Sequence, residues 1–144
     1  MKKVLYIGWL GFQNIGDELL WNVFAASARQ YAPDVQIVPS TPKVNWKDTS
    51  PYDAIVLGGG SLLLPGYMAV LRQAHEAGKP IWIWGTGIDW IGPMETDALR
   101  AGAKPALNHH FSAKDAELFR TVLASAAFAG IRGPLSKAAL DTLD

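Results

Sequence analysis

Short apolar runs alternate along the chain with segments whose apolar positions recur every three or four residues. Lys3-Val-Leu-Tyr-Ile-Gly8 is β-branched and aromatic and ends in glycine, which predicts a buried strand. A helix is predicted from about Gly16 to Tyr31, with Leu20, Val23, Phe24, Ser27, Ala28 and Tyr31 on its buried face. Asn14 is placed to cap it, with Asp17 in capping-box spacing. Val35-Gln-Ile-Val38 predicts a second strand, and Pro39 to Pro51 a proline-marked connection. Asp53 to Leu57 predicts a third strand, Met68 to Ala77 a helix closed by Gly78 and Pro80, and Ile81 to Trp84 a fourth strand. Glu95 to Ala101 predicts a short helix. Ser112 to Ala124 predicts a longer one that buries Leu118, Phe119, Val122 and Leu123. Ala127 to Arg132 reads as a fifth strand and Pro134 to Leu143 as a last helix.

Apolar strands alternating with helices predict an α/β fold, a doubly wound parallel sheet of about five strands covered on both faces. Trp82 and Trp84 share one strand face by period two, so both are expected in the core. The length of 144 residues suits a single domain.

Composition narrows the function classes. With 13 Lys+Arg against 13 Asp+Glu, the chain lacks the basic excess of a nucleic-acid binder. Cysteine is absent, which excludes disulfides, a cysteine nucleophile and cysteine-ligated zinc. The apolar run after Met1-Lys2-Lys3 is too short for a signal peptide, and a cytoplasmic protein is expected. The longest uncharged stretch, Ala54 to Leu71, is broken by Gly58, Gly59, Gly60, Pro65 and Gly66, and reads as strand, turn and helix rather than a membrane span.

The glycines carry the functional signal. Gly8, Gly11 and Gly16 follow the first strand, Gly58 to Gly60 the third, Gly85, Gly87 and Gly92 the fourth, and Gly133 the fifth. In a parallel sheet those strand ends share one edge, where open α/β folds bind ligands. Gly58 to Gly60 with Ser61 are candidates to hold an anion through backbone N–H groups. Arg132, at another strand end, has the guanidinium fork that suits a carboxylate or phosphate. Nucleotide motifs fail on detail. Gly11-Phe-Gln-Asn-Ile-Gly16 has phosphate-loop glycine spacing, but Asp17 and Glu18 stand where Lys and Ser/Thr belong. Gly85-Thr-Gly87 begins a dinucleotide fingerprint, and Trp90 occupies the place of its third glycine. His109-His110 lack a metal-ligand spacing, read as an exposed loop pair, and no metal site is expected. Trp9 and Trp90 lie in the rim loops, where either stacking on a sugar ring or packing between domains would suit them.

Four blocks together resemble the polysaccharide pyruvyl transferase family: Gly11-Phe-Gln-Asn-Ile-Gly-Asp-Glu18, Asp53-Ala-Ile-Val-Leu-Gly-Gly-Gly-Ser-Leu-Leu63, Lys79-Pro-Ile-Trp-Ile-Trp-Gly-Thr-Gly-Ile88 with Ile91-Gly-Pro93, and Ile131-Arg-Gly-Pro-Leu-Ser136. Departures are Leu64-Pro65 after the second block, Asp89-Trp90 inserted in the third, and Gly133 in place of aspartate in the fourth. The resemblance implies a Rossmann-like fold resembling the N-terminal half of a two-domain GT-B enzyme, with the rest of the cleft in a missing C-terminal domain. It also implies transfer of pyruvate from phosphoenolpyruvate, with no further cofactor, to a sugar of a cell-surface polysaccharide or its precursor. Asp17, Glu18 and Arg132 are then the catalytic candidates. Gly11, Asn14, Gly16, Gly58, Gly59, Gly60, Ser61, Gly85, Gly87 and Ser136 are the substrate-binding candidates. A binding or scaffold domain of the same fold and a nucleotide-sugar transferase remain the alternatives.

Overall fold

The computed structural model describes residues 1–105, 107 and 110–143. Its elements are β1 (Lys2–Ile7), α1 (Ile15–Tyr31), β2 (Val35–Pro39), β3 (Ala54–Leu57), α2 (Pro65–Glu76), β4 (Ile81–Thr86), α3 (Pro93–Arg100), α4 (Ala113–Ser125), β5 (Phe128–Ile131) and α5 (Pro134–Leu140). The expected alternation is present throughout, with ends moved by a few residues. The five strands form one parallel sheet in the order β2-β1-β3-β4-β5. This is the Rossmann-like α/β arrangement that the apolar runs predict. Chain direction across the sheet reverses between β1 and β3, and at such a switch point the two strand ends open a crevice.

Period two divides the side chains between the faces. Leu5, Ile7, Ile55, Leu57, Ile81 and Ile83 point to one face, where Met68, Leu71, Phe119 and Val122 from α2 and α4 cover them. Tyr6 and Val56 point to the other, against Phe24 of α1, with Trp21 and Trp84 packed around them. The sheet is thus sandwiched, but unequally. Trp84 joins the α1 cluster as expected. Trp82 does not stay in the core: it is 41% exposed, beside an equally open Phe128, because α1 reaches Trp84 through Phe24 but leaves Trp82 and Phe128 uncovered.

α1 buries a different stripe from the one its pattern suggests. Asp17, Phe24 and Ala25 face inward, whereas Val23 and Tyr31 are exposed. Each helical residue turns by 100°, so centring the stripe on Phe24 carries Val23 off the contact, whereas Tyr31 keeps the side of Phe24 but is the last residue of α1 and extends past the packed part of the sheet. Leu118, Phe119 and Val122 of α4 are buried as expected. Pro39 extends β2, which as an edge strand needs no N–H there. Lys79 ties down the long connection before β3, its Nζ donating to the carbonyls of Thr49, Ser50 and Tyr52 at 2.6–3.0 Å. Among the described residues no helix is long and apolar enough to cross a membrane.

Candidate functional site

The carboxyl ends of β1, β3, β4 and β5 meet around a hollow of about 350 Å³ lined in part by Asn14, Asp17, Gly60, Ser61, Asp89 and Arg132. It sits at the switch point, and each wall has a local cause. Asn14 caps α1, its Oδ1 accepting from the N–H groups of Gly16 and Asp17. The expected capping box is absent, because the Asp17 side chain turns into the fold. A Cβ on Gly60 would lie 2.5 Å from Asp17 Oδ1, and Gly60 itself has φ +96°. Only glycine combines that conformation with that approach.

The neighbouring glycines serve the same end. A Cβ on Gly58 would fall 2.2 Å from the Tyr6 hydroxyl oxygen, and one on Gly59 would fall 2.4 Å from Leu20 Cδ1. Gly58 donates its N–H to Ile7 O. The triple glycine is thus a thin loop pressed against β1 and α1. Thr86, fully buried, fastens this loop to the end of β4. Its Oγ1 accepts from Leu62 N at 3.0 Å, and Gly87 N donates to Gly60 O at 2.8 Å. Gly85 makes this possible. Its φ of +69° falls at the register shift between Trp84 and Thr86, a bulge that re-aims the strand end.

Arg132 leaves β5 and reaches over this loop, donating from Nη2 to Ser61 Oγ at 3.3 Å. Its Nε and the Ser136 hydroxyl would each stand 3.2 Å from a Cβ on Gly87, so a bare backbone there leaves room for both. Burial raises the Asp17 carboxyl above its ordinary range, the Arg132 guanidinium opposes that shift, and Glu18 adds to it. A carboxyl group held nearer to neutrality beside a cation can both give and take a proton.

The sign of that shift has a consequence for stability. A raised acid favours folding fully below its ordinary value of 3.8 and loses that contribution as pH climbs through the raised value. Asp17→Asn is expected to be more stable than the wild type in urea melts at about pH 7.5. The gain should shrink towards about pH 3, where Asp17 is protonated in both states. A gain that grew on acidification would contradict the burial of this carboxyl.

Asn14, Gly16, Asp17, Gly60, Ser61 and Arg132 are therefore brought together around the hollow. Gly58, Gly59, Gly85, Gly87 and Ser136 lie behind its walls. Gly11 and Glu18 lie to the side, where Glu18 Oε1 accepts from Gly11 N at 2.7 Å. Four lining residues, Trp9, Leu20, Leu62 and Asp89, are not among the expected site residues. Trp9 was seen only as a rim aromatic and Asp89 only as an insertion, although its position two residues beyond Gly87 was a usable signal. Trp90 does not face the hollow: its indole N–H donates to Leu63 O and its ring packs edge-on against Phe111. His110 is not an exposed loop residue either. Its Nε2 lies 2.9 Å from Glu95 Oε1, both side chains largely covered. His109 falls outside the described residues. Among the described residues no cluster of potential metal ligands occurs.

The family model for polysaccharide pyruvyl transferase matches residues 14–143. No curated protein matches the chain. In fold it is similar to a crystal structure of a conserved protein from Enterococcus faecalis V583, with a TM-score of 0.50 and 15% identity over 99% of this chain and 97% of that one. At that identity the likeness concerns the fold alone.

Proposed function

Since the chain belongs to the polysaccharide pyruvyl transferase family, we propose that the hollow at Arg132 is the donor part of a site that moves pyruvate from phosphoenolpyruvate to a sugar of a cell-surface polysaccharide or its precursor. The observation that carries the reading is the Arg132–Ser61 pair set over the protonatable Asp17 at the switch point. The donor bears a phosphate and a carboxylate. A guanidinium fork and a hydroxyl are suited to hold one of them, and Asn14 and the thin glycine loop let it approach closely.

The balance of the reaction defines what the side chains must do. Two hydroxyls of the sugar bond to C2 of phosphoenolpyruvate, and the bond from C2 to the phosphate oxygen breaks. One hydroxyl proton ends on C3, which becomes a methyl group, and the other leaves with phosphate. No electrons are exchanged, so no redox cofactor is invoked. Asp17, whose carboxyl burial raises above its ordinary range, is the group placed to relay a proton, while Arg132 offsets charge on the departing phosphate. Glu18 acts next to it by holding the loop at Gly11. A second Rossmann-like half, closing over the hollow as in GT-B enzymes, would supply the remaining contacts.

Titration calorimetry separates this from a nucleotide-sugar enzyme. The complete protein that carries this chain is expected to bind phosphoenolpyruvate and to ignore nucleoside diphosphates, and this 144-residue chain alone to bind weakly and turn nothing over. Binding of a nucleoside diphosphate without any of phosphoenolpyruvate would overturn the proposal.

A further inference from the structure

Trp9 and Phe12 are 45% and 50% exposed, although large aromatic side chains gain most from burial. They do not join either core cluster. Instead their rings stack on each other, centroids 4.3 Å apart and planes 21° from parallel. Trp9 also lines the hollow, together with Asn14 and Asp89. We propose that this pair is the platform on which the pyranose ring of the acceptor lies, which makes Trp9 a specificity-determining residue. The inference rests on the transferase reading above and names the residues that would choose its second substrate.

The loop is built to hold the rings still. Ser40 Oγ accepts from Gly8 N at 2.9 Å and donates to Gly8 O at 3.0 Å. Gly11, at φ +83°, packs where a Cβ would be 2.6 Å from Pro42 Cδ. Gln13 keeps φ at 61°, a conformation that side chains disfavour and that persists only when its surroundings enforce it. Glu18 fixes Gly11 from the helix side. So many restraints on an otherwise exposed loop fit a surface that must be preorganised.

The polar groups nearby select the ligand chemistry. A pyranose has an apolar face of C–H bonds that covers an indole and a rim of hydroxyls. The Asp89 carboxylate can accept from those hydroxyls, and Asn14 stands on the same wall. A nucleobase could stack equally well, so nucleotide binding is tested beside the pyranosides. Glu18 is a positioning residue in this scheme, acting through the loop.

Two measurements on the complete protein decide the matter, with the methyl pyranosides of glucose, mannose and galactose as probes. In saturation-transfer NMR without phosphoenolpyruvate, at least one pyranoside should receive saturation through its ring C–H groups. Trp9→Ala should abolish this and Trp9→Phe restore most of it. In steady-state kinetics Trp9→Ala should raise the acceptor KM about tenfold while the phosphoenolpyruvate KM stays within about twofold. Glu18→Ala should raise the acceptor KM in the same way and add little on top of Trp9→Ala. Pyranoside contact or acceptor KM indifferent to Trp9, or a nucleotide binding through Trp9, would overturn the proposal. Absence of turnover in the wild type would instead count against the transferase reading, and the NMR arm would still decide the platform.

Discussion

Arg132→Ala is expected to lower phosphoenolpyruvate-dependent turnover about 10²–10³-fold, the usual result of removing one aimed donor from a developing oxyanion. Arg132 lies on the exposed rim and its side-chain bond in this structure goes to Ser61. Its loss should therefore change stability by no more than about 0.5 kcal/mol. That separation of activity from stability makes the variant informative. Arg132→Lys keeps a charge but not the fork, and should recover only part of the rate. Loss of Arg132 also removes the cation that opposes protonation of Asp17. The acid that remains should titrate higher still, and any residual pH–rate profile should move to higher pH. A variant with unaltered kcat and KM would remove Arg132 from the site.

Gly58→Ala should be the most damaging small substitution for the fold. Its new methyl group would fall 2.2 Å from the Tyr6 hydroxyl oxygen and 2.3 Å from Cζ. Tyr6 cannot step aside: it is 1% exposed, near the carboxyl end of β1, and wedged against Trp21 and Phe24 with centroids 5.1 and 4.8 Å away. Either the ring or the end of β3 must move, which costs about 2–3 kcal/mol by the measure of other overpacked cores. Gly66→Ala supplies the control. Nothing lies within 4 Å of its Cβ, and it sits in the first turn of α2, so it should be neutral or stabilise by up to about 1 kcal/mol. In urea melts of the two alanine variants, identical in chemistry, only Gly58→Ala should therefore lower the midpoint.

The contrast also explains how much was legible beforehand. The elements and the parallel sheet follow from local patterns, since period two and period 3.6 are written in consecutive residues. The rim at the strand ends was legible for the same reason, because each glycine group directly follows an apolar run. The role of each glycine was not. Gly58, Gly59 and Gly60 make way for Tyr6, Leu20 and Asp17, residues about 40 to 50 positions earlier, and no window of sequence carries that contact. Trp82 misled because period two states which side chains share a face, not whether a helix covers that face. Asp17 looked like a helix cap by spacing. The resemblance also made it a catalytic candidate, and in the fold its carboxyl turns inward against Gly60 instead of capping α1. The His110–Glu95 contact joins a loop to α3 across 15 residues, and neither residue signals it.

The central claim is that this rim holds phosphoenolpyruvate and passes its three-carbon unit to a sugar. The direct measurement is NMR of the complete protein incubated with phosphoenolpyruvate labelled with ¹³C at C2 and a polysaccharide-precursor acceptor. A pyruvyl transfer site predicts that the label appears at a quaternary ketal carbon bonded to two acceptor oxygens, with one phosphate released per ketal. Label that stays in phosphoenolpyruvate, or phosphate released with free pyruvate and no ketal across the acceptor panel, would contradict it.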